Sequence, residues 1–531
     1  MANENERGGV NRRHFLELAA LGSALALTKP LSAVAQSSAA QAAVMPELEE
    51  ITIGELQEGM KSGRWTAHAI AEGYLGRIEA IDKHGPAVNA IIELNPDALA
   101  IADAMDRERK EGHIRGPLHG IPIVIKDNIE TADKMRTSAG SLALAENTAA
   151  RDAFIAARLR EAGAVILGKT NLSEWANFRS THSTSGWSGR GGLTRNPYVL
   201  DRNACGSSSG TGTAIAANLA AIGIGTETDG SVVCPSSASG LVGIKPTLGL
   251  ISRAGIIPIA HSQDTSGPMA RTVRDAAILL GILTGADERD PVTVSSRSKG
   301  HADYTRFLDA DGLKGARIGV ARQYFGFNDA TDRLMKDAIA LIKSLGATIV
   351  DPANIATSGK FDVTENDVLQ YEFKTDINKY LAGTPAAVRS RTLADLIKFN
   401  EEHRAQEMPY FGQEIFEQSQ KRGLLSEKKY RDALAKNHRM ARTQGIDATM
   451  TKHKLDAIIA PTGGPVWTTD LVSGDHYTGG YSTASAVAGY PHITVPAGLA
   501  FGLPVGLSFF AGAWTEASLI KYAYAFEQAS K

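Results

Sequence analysis

The chain has 531 residues, 43% hydrophobic and 21% charged, which supplies apolar surface for a large core and excludes a disordered or fibrous protein. Lys+Arg 56 against Asp+Glu 58 leaves a net charge of -2, so there is no bulk attraction for nucleic acid or an anionic membrane. Two cysteines exclude a disulfide-stapled scaffold and a Cys-rich zinc module.

The N-terminus is polar and basic through Arg13. A short Ala-rich apolar run, Leu16 to Thr28, then leads to Lys29-Pro30 and the small triplet Ala33-Val34-Ala35. That order is a signal peptide with cleavage after Ala35, and the run is too short to span a bilayer. Asn11-Arg12-Arg13-His14-Phe15-Leu16 resembles the twin-arginine export motif, with Asn11 where Ser or Thr is common and Glu17 where Lys is common. Residues 1–35 are expected to direct the protein to the periplasm or the exterior, leaving 36–531 as the working domain. The alternative is an uncleaved N-terminus that starts a helix near His14. With no second long apolar run, no membrane anchor is expected.

Along the rest of the chain, short apolar runs alternate with stretches of 3.6-residue period, the pattern of an α/β protein. Strands are predicted at Ile121 to Ile125, Val165 to Leu167, Ile222 to Thr226, Arg317 to Ala321, Thr348 to Val350, Ala457 to Ala460, His492 to Val495 and Val505 to Phe509. Helices are predicted at Thr66 to Ile81, Pro96 to Glu111, Asp152 to Ala162, Thr272 to Leu283, Asp332 to Leu345 and Glu516 to Ala529. No linker or fixed-period repeat divides the chain, so one large domain is the simplest reading. The stretch from about 361 to 453 is charged and strand-free, a helical layer over the sheet.

Arg190 to Gly255 is dense in Gly, Ser and Thr yet contains the apolar runs Ala214 to Ala221 and Ile222 to Gly225, so it reads as backbone placed close to a ligand rather than as a linker. Two strings near it fail on context. Gly163 to Thr170 matches a phosphate-binding loop literally, but Ala164 to Leu167 between its glycines wants to be a buried strand and Gly163 reads as a helix end. Gly206-Ser207-Ser208-Ser209-Gly210 matches a nucleophile elbow at Ser208, but the preceding Leu200 to Ala204 is polar rather than strand-like. A third constellation fits better. Lys126 closes an apolar strand, where burial would lower its pKa and free the amine to act as a base; Ser207 opens a helix beginning near Gly212, and Ser231 follows the strand ending at Thr226.

With Cys205-Gly-Ser-Ser-Ser-Gly-Thr-Gly212, Thr226 to Pro235, Gly240 to Thr247 and Asp264 to Arg271, these residues resemble the amidase signature family. The resemblance extends back to Gly120 to Asp127 and Leu167 to Glu174, and forward to Asp456 to Thr462, Pro496 to Gly498 and Gly502 to Leu507. It implies a mixed β-sheet covered by helices on both faces. It also implies a nucleophile at Ser231, a bridging Ser207 joined through a cis peptide, Lys126 as base, and an oxyanion held by backbone N–H groups of Thr228, Asp229, Gly230 and Ser231. No cofactor or metal is implied, and the 13 histidines contain no metal-binding spacing. The implied substrate is a small or peptide amide.

Several positions depart from the family pattern. Asp229 stands where Gly is commoner, which leaves its carboxylate free to read a polar end of the substrate, and Val233 stands where Arg is often found. Cys205 and Ser209 replace glycines. Thr226-Glu-Thr-Asp-Gly-Ser231, with Gly186-Trp187-Ser188 and Arg195-Asn-Pro-Tyr198, looks like the peptide amidase branch, which releases ammonia from C-terminal peptide amides. The alternatives are the glutamine-hydrolysing component of a tRNA-dependent amidotransferase and an esterase acting through Ser208. Cys205 and Cys234 are expected to be buried free thiols, with a disulfide the lesser option. Trp187 is the tryptophan expected nearest the cleft.

Overall fold

The computed structural model describes residues 47–531; the expected leader, residues 1–35, lies outside the described residues. The strands are β1 (Ile91–Leu94), β2 (Pro122–Lys126), β3 (Val165–Thr170), β4 (Trp187–Ser188), β5 (Gly192–Leu193), β6 (Ile222–Glu227), β7 (Val242–Lys245), β8 (Thr265–Ala270), β9 (Arg317–Val320), β10 (Thr348–Val350), β11 (Ala457–Pro461), β12 (His492–Ala500) and β13 (Leu503–Phe510). Eleven of them form one mixed sheet in the order β1-β3-β2-β6-β8-β7-β12-β13-β11-β9-β10, and β4 with β5 makes a separate ribbon. All eight predicted strands are present, and β1, β7 and β8 are additional to them in the sheet. β8 escapes prediction because it carries Pro268 inside the sheet, paired with Ile224, where a proline argues against a central strand.

Both faces of the sheet are covered, as alternation along β11 and β13 makes plain. Ala457, Ile459 and Phe509 join the main core, while Ile458, Ala460 and Phe510 join a second core under the Thr483–Ala488 helix. β2, β3, β6, β7, β8, β11 and β13 are buried along their whole length, which explains the near-continuous apolar runs of β2, β11 and β13.

The six predicted helices occur, and their caps set their ends. Thr66 Oγ1 accepts Ala69 N, and Asn328 caps the Asp329–Ser344 helix, so that helix begins a turn before the expected Asp332. The run Ala214 to Ala221 is helical only to Ala216, the helix starting early at Ser209. Residues 165–170 are strand, not a phosphate loop: Gly163, at φ 77°, terminates the Phe154–Glu161 helix and Val165–Thr170 is fully buried. Between Asp362 and His453 the chain is a series of helices. Phe373, Ile377 and Phe416 of that layer pack on Trp175, Ile257 and Ile259 from the loops above the sheet.

Candidate active site

β2 and β6 run parallel and adjacent, with Ile123 level with Ile222 and Ile125 level with Ile224. Their C-terminal ends therefore share one edge of the sheet, Lys126 closing β2 and residues 228–231 leaving β6. The segment before the Ser209–Ala216 helix lies directly on β6. A Cβ on Gly225 would stand 2.6 Å from Ser208 Oγ, so only glycine permits this approach. Ser208 N donates to Ser231 O at 3.2 Å, fastening the two serine segments together.

Lys126 is fully buried. Its Nζ lies 2.7 Å from Ser207 Oγ, 2.9 Å from Thr226 Oγ1 and 3.2 Å from Thr226 O. Burial pulls its pKa down to about 7, against the opposing pull of the Glu227 and Asp264 carboxylates. The Gly206–Ser207 peptide is cis. Ser207 is inaccessible, whereas Ser231 keeps 8% of its surface and its Oγ makes no hydrogen bond among the described residues.

The turn after β6 is folded by Glu227, whose Oε2 accepts Val232 N at 2.7 Å and Val233 N at 3.1 Å. Gly230 has φ 80°, a left-handed conformation that suits glycine, while Asp229 keeps a negative φ and so tolerates its side chain. The N–H groups of Asp229, Gly230 and Ser231 donate to no protein acceptor among the described residues. Thr228 is fixed by its side chain, Oγ1 donating to Asp264 Oδ1 at 2.6 Å. Burial raises the Asp264 carboxyl to about 6. Asp229 turns its carboxylate toward Thr483 Oγ1, which donates to Oδ2 at 2.7 Å, and burial raises the group against the pull of the Ser482 and Thr483 hydroxyls.

Thr226, Asn128, Glu227 and Asp264 carry no separate signal in the sequence, although all but Asn128 lie within the strings that carry the family resemblance. Asn128 Nδ2 donates to Thr226 Oγ1 at 2.9 Å, so Thr226 accepts from Asn128 and the lysine together. These residues border a cavity of about 310 Å³ whose wall includes Thr228, Ile257, Asp264 and Tyr380.

Two expectations change. Ser208 is inaccessible and clamped to β6, its Oγ donating to Thr226 O at 3.1 Å and accepting Thr226 N at 3.2 Å, so it is a structural residue rather than a nucleophile. Cys205 and Cys234 are not free thiols but a disulfide, their Cα atoms 6.0 Å apart, because the docking of the two serine segments brings them within bridging range. Trp187 packs edge-on to Tyr410 and Phe411, and Trp467 lines a separate narrow pocket with Cys234. One cluster has metal-ligand composition among the described residues, His261 with Glu372 and Asp376. Both ring nitrogens there already face carboxylates, at 2.7 Å from Asp376 and 3.4 Å from Glu372, so an ion would have to displace these contacts.

The chain matches the Amidase family over residues 69–520. It is 41% identical over 494 residues to a probable amidase of Arabidopsis thaliana, covering 91% of this chain and 90% of that one. The native peptide amidase of Stenotrophomonas maltophilia superposes with a TM-score of 0.87 at 48% identity, over 91% of this chain and 98% of that one. The A component of the glutamyl-tRNA(Gln) amidotransferase of Carboxydothermus hydrogenoformans is 33% identical over 494 residues, covering 91% of this chain and 98% of that one. The chain belongs to the amidase family. It is an amidase, a hydrolase of amide bonds.

Proposed function

We propose that the chain hydrolyses a carboxylic amide, and specifically a C-terminal peptide amide, to acid and ammonia through an acyl-enzyme on Ser231, and that it does so outside the cytoplasm after twin-arginine-type export. The observation that carries the chemistry is Lys126 Nζ at 2.7 Å from Ser207 Oγ, buried, with a pKa brought to about 7. In its neutral form the amine accepts the Ser207 proton while Ser207 takes that of Ser231, whose Oγ attacks the amide carbon. The oxyanion falls to the unengaged N–H groups of the 228–231 turn, where one such donor is worth ~2.7 to 4 kcal/mol. As the C–N bond breaks, the proton returns through Ser207 to the leaving nitrogen, which departs as ammonia. Water, deprotonated by the same pair, then opens the ester to the free acid.

The peptide-amide reading is supported by 48% identity to a peptide amidase. The amidotransferase reading is weaker. Identity to that relative is 33%, and a net charge of -2 supplies no attraction for RNA.

Incubating the protein with an N-blocked peptide amide should release ammonia while mass spectrometry finds the internal bonds intact. Ser231→Ala should lower turnover by about 10³-fold or more. Full activity in that variant would remove Ser231 from the mechanism; absence of ammonia from folded wild-type protein would remove the peptide amide and redirect the search to aliphatic and aryl amides.

A further inference from the structure

The disulfide joins the two segments that have to register for the serine relay to run. Cys205 stands two residues before Ser207 and Cys234 three after Ser231. Each cysteine is also tied into its own segment. Cys205 N donates to Asn203 Oδ1 at 2.7 Å, and its carbonyl receives Ser209 Oγ. Cys234 N donates to Gly230 O at 2.8 Å, closing the turn that carries Ser231. Apart from the sulfur bridge, the one backbone hydrogen bond between the two serine segments among the described residues is Ser208 N to Ser231 O, at 3.2 Å. The Oγ of Ser231 is otherwise unheld. A proton relay between two hydroxyls tolerates only displacements well under about 1 Å, so a covalent tie at this point acts on the reacting geometry more than on the large core beneath it.

We propose that the Cys205–Cys234 disulfide is a positioning link for Ser207 and Ser231, and that its oxidation state sets turnover: the oxidised protein is the competent form and the dithiol form is nearly idle. The inference rests on the Ser207–Ser231 reading above. The bridge can be reached. Cys205 is 5% exposed, but Cys234 is only half-buried and lines a narrow cleft with Trp467 and Tyr477. A small dithiol would attack one sulfur as its thiolate, forming a mixed disulfide. Its second thiolate then releases that sulfur, so the reagent is oxidised to a cyclic disulfide while Cys205 and Cys234 gain two protons and two electrons.

The test compares kcat and KM of the whole protein in three forms: as prepared, reduced with dithiothreitol under native conditions, and as the Cys205→Ser/Cys234→Ser variant. Thiols are counted in each, and folding is followed by near-ultraviolet circular dichroism. The expected result is a fall in kcat of about tenfold or more with KM within about twofold, an unchanged spectrum, and recovery of kcat when the reduced sample is reoxidised. Unchanged kcat in the double-serine variant would overturn the proposal. So would a loss of activity that follows loss of the folded spectrum, since the bridge would then be a plain structural staple. A fluorophosphonate label mapped on the oxidised protein separates the two readings. Labelling elsewhere than Ser231 would sink the nucleophile assignment, whatever the redox response.

Discussion

A lysine with no exposed surface costs stability unless it gives up its charge, and Lys126 illustrates both sides of that exchange. Its pKa is about 7 in the fold against 10.5 in the unfolded chain, so between those values the unfolded chain binds more protons than the native one. Stability contributed at this site is therefore lowest below about pH 7 and recovers as the pH climbs toward 10.5. Lys126→Met should abolish turnover and yet raise the melting temperature at about pH 7, by the equivalent of about 0.5–2 kcal/mol, with the gain shrinking as the pH rises. Melting curves of both proteins from about pH 6 to about pH 10 check this; a variant less stable than wild type at the acid end would contradict it. The same titration predicts kcat/KM rising with pH through about 7, since the neutral amine is the working form in the proposed relay. The meeting of Lys126 with Ser207, and of their segments with that of Ser231, is legible in the sequence through the family resemblance that the strings around them carry. The Cys205–Cys234 pair is not, because whether two thiols meet depends on how two distant segments dock, which neighbouring sequence does not encode.

Among the elements, the loop that follows β3 is held to the helical layer by a buried knot of charge. Arg179 is inaccessible, donates to Glu174 Oε1 at 2.5 Å and to the Glu407 carbonyl, and has the Glu407 carboxylate at 3.8 Å. Glu407 Oε1 in turn accepts Leu142 N at 2.6 Å, and Glu174 Oε2 accepts Gly189 N at 2.6 Å. Burial, with the neighbouring Glu407 adding to it, pushes the Glu174 carboxyl well above the usual range, although Arg179 pulls the other way. Glu174→Gln, which keeps the shape and removes a charge that burial disfavours, should cost under about 1 kcal/mol. Arg179→Met, which strands the carboxylates, should cost about 3–5 kcal/mol. Urea midpoints rank the two, and equal losses would mean that the knot is packing rather than electrostatics. Nothing in the sequence points to this knot. Helical period announces the layer, but Arg179 and Glu407 are 228 residues apart, and charged residues in an amphipathic stretch look alike whether they face water or a buried partner. Strands read well where burial makes apolar runs, as in β2 and β13, and poorly in β8, where Pro268 overrides the signal.

At the scale of the whole molecule, the leader proposed for residues 1–35 and the disulfide bear on each other. Among the described residues, no helix is long and apolar enough to cross a membrane. Twin-arginine export carries chains already folded, and the cytosol keeps thiols reduced, so an exported protein of this kind would fold with two thiols and close its bridge only on arrival. Replacing Arg12 and Arg13 by Lys keeps the charge of the leader and removes the planar guanidinium pair that the export motif specifies. Expressed in its native type of cell, the Arg12→Lys/Arg13→Lys protein should remain in the cytosol with its leader attached and two titratable thiols per chain. The unaltered protein should appear outside, shortened at Ala35, with none. Cell fractionation, intact mass and thiol counting on the same preparations give the three readings together. Export undiminished by the double substitution would refute twin-arginine routing, and a closed bridge in the retained protein would show that oxidation does not wait for export.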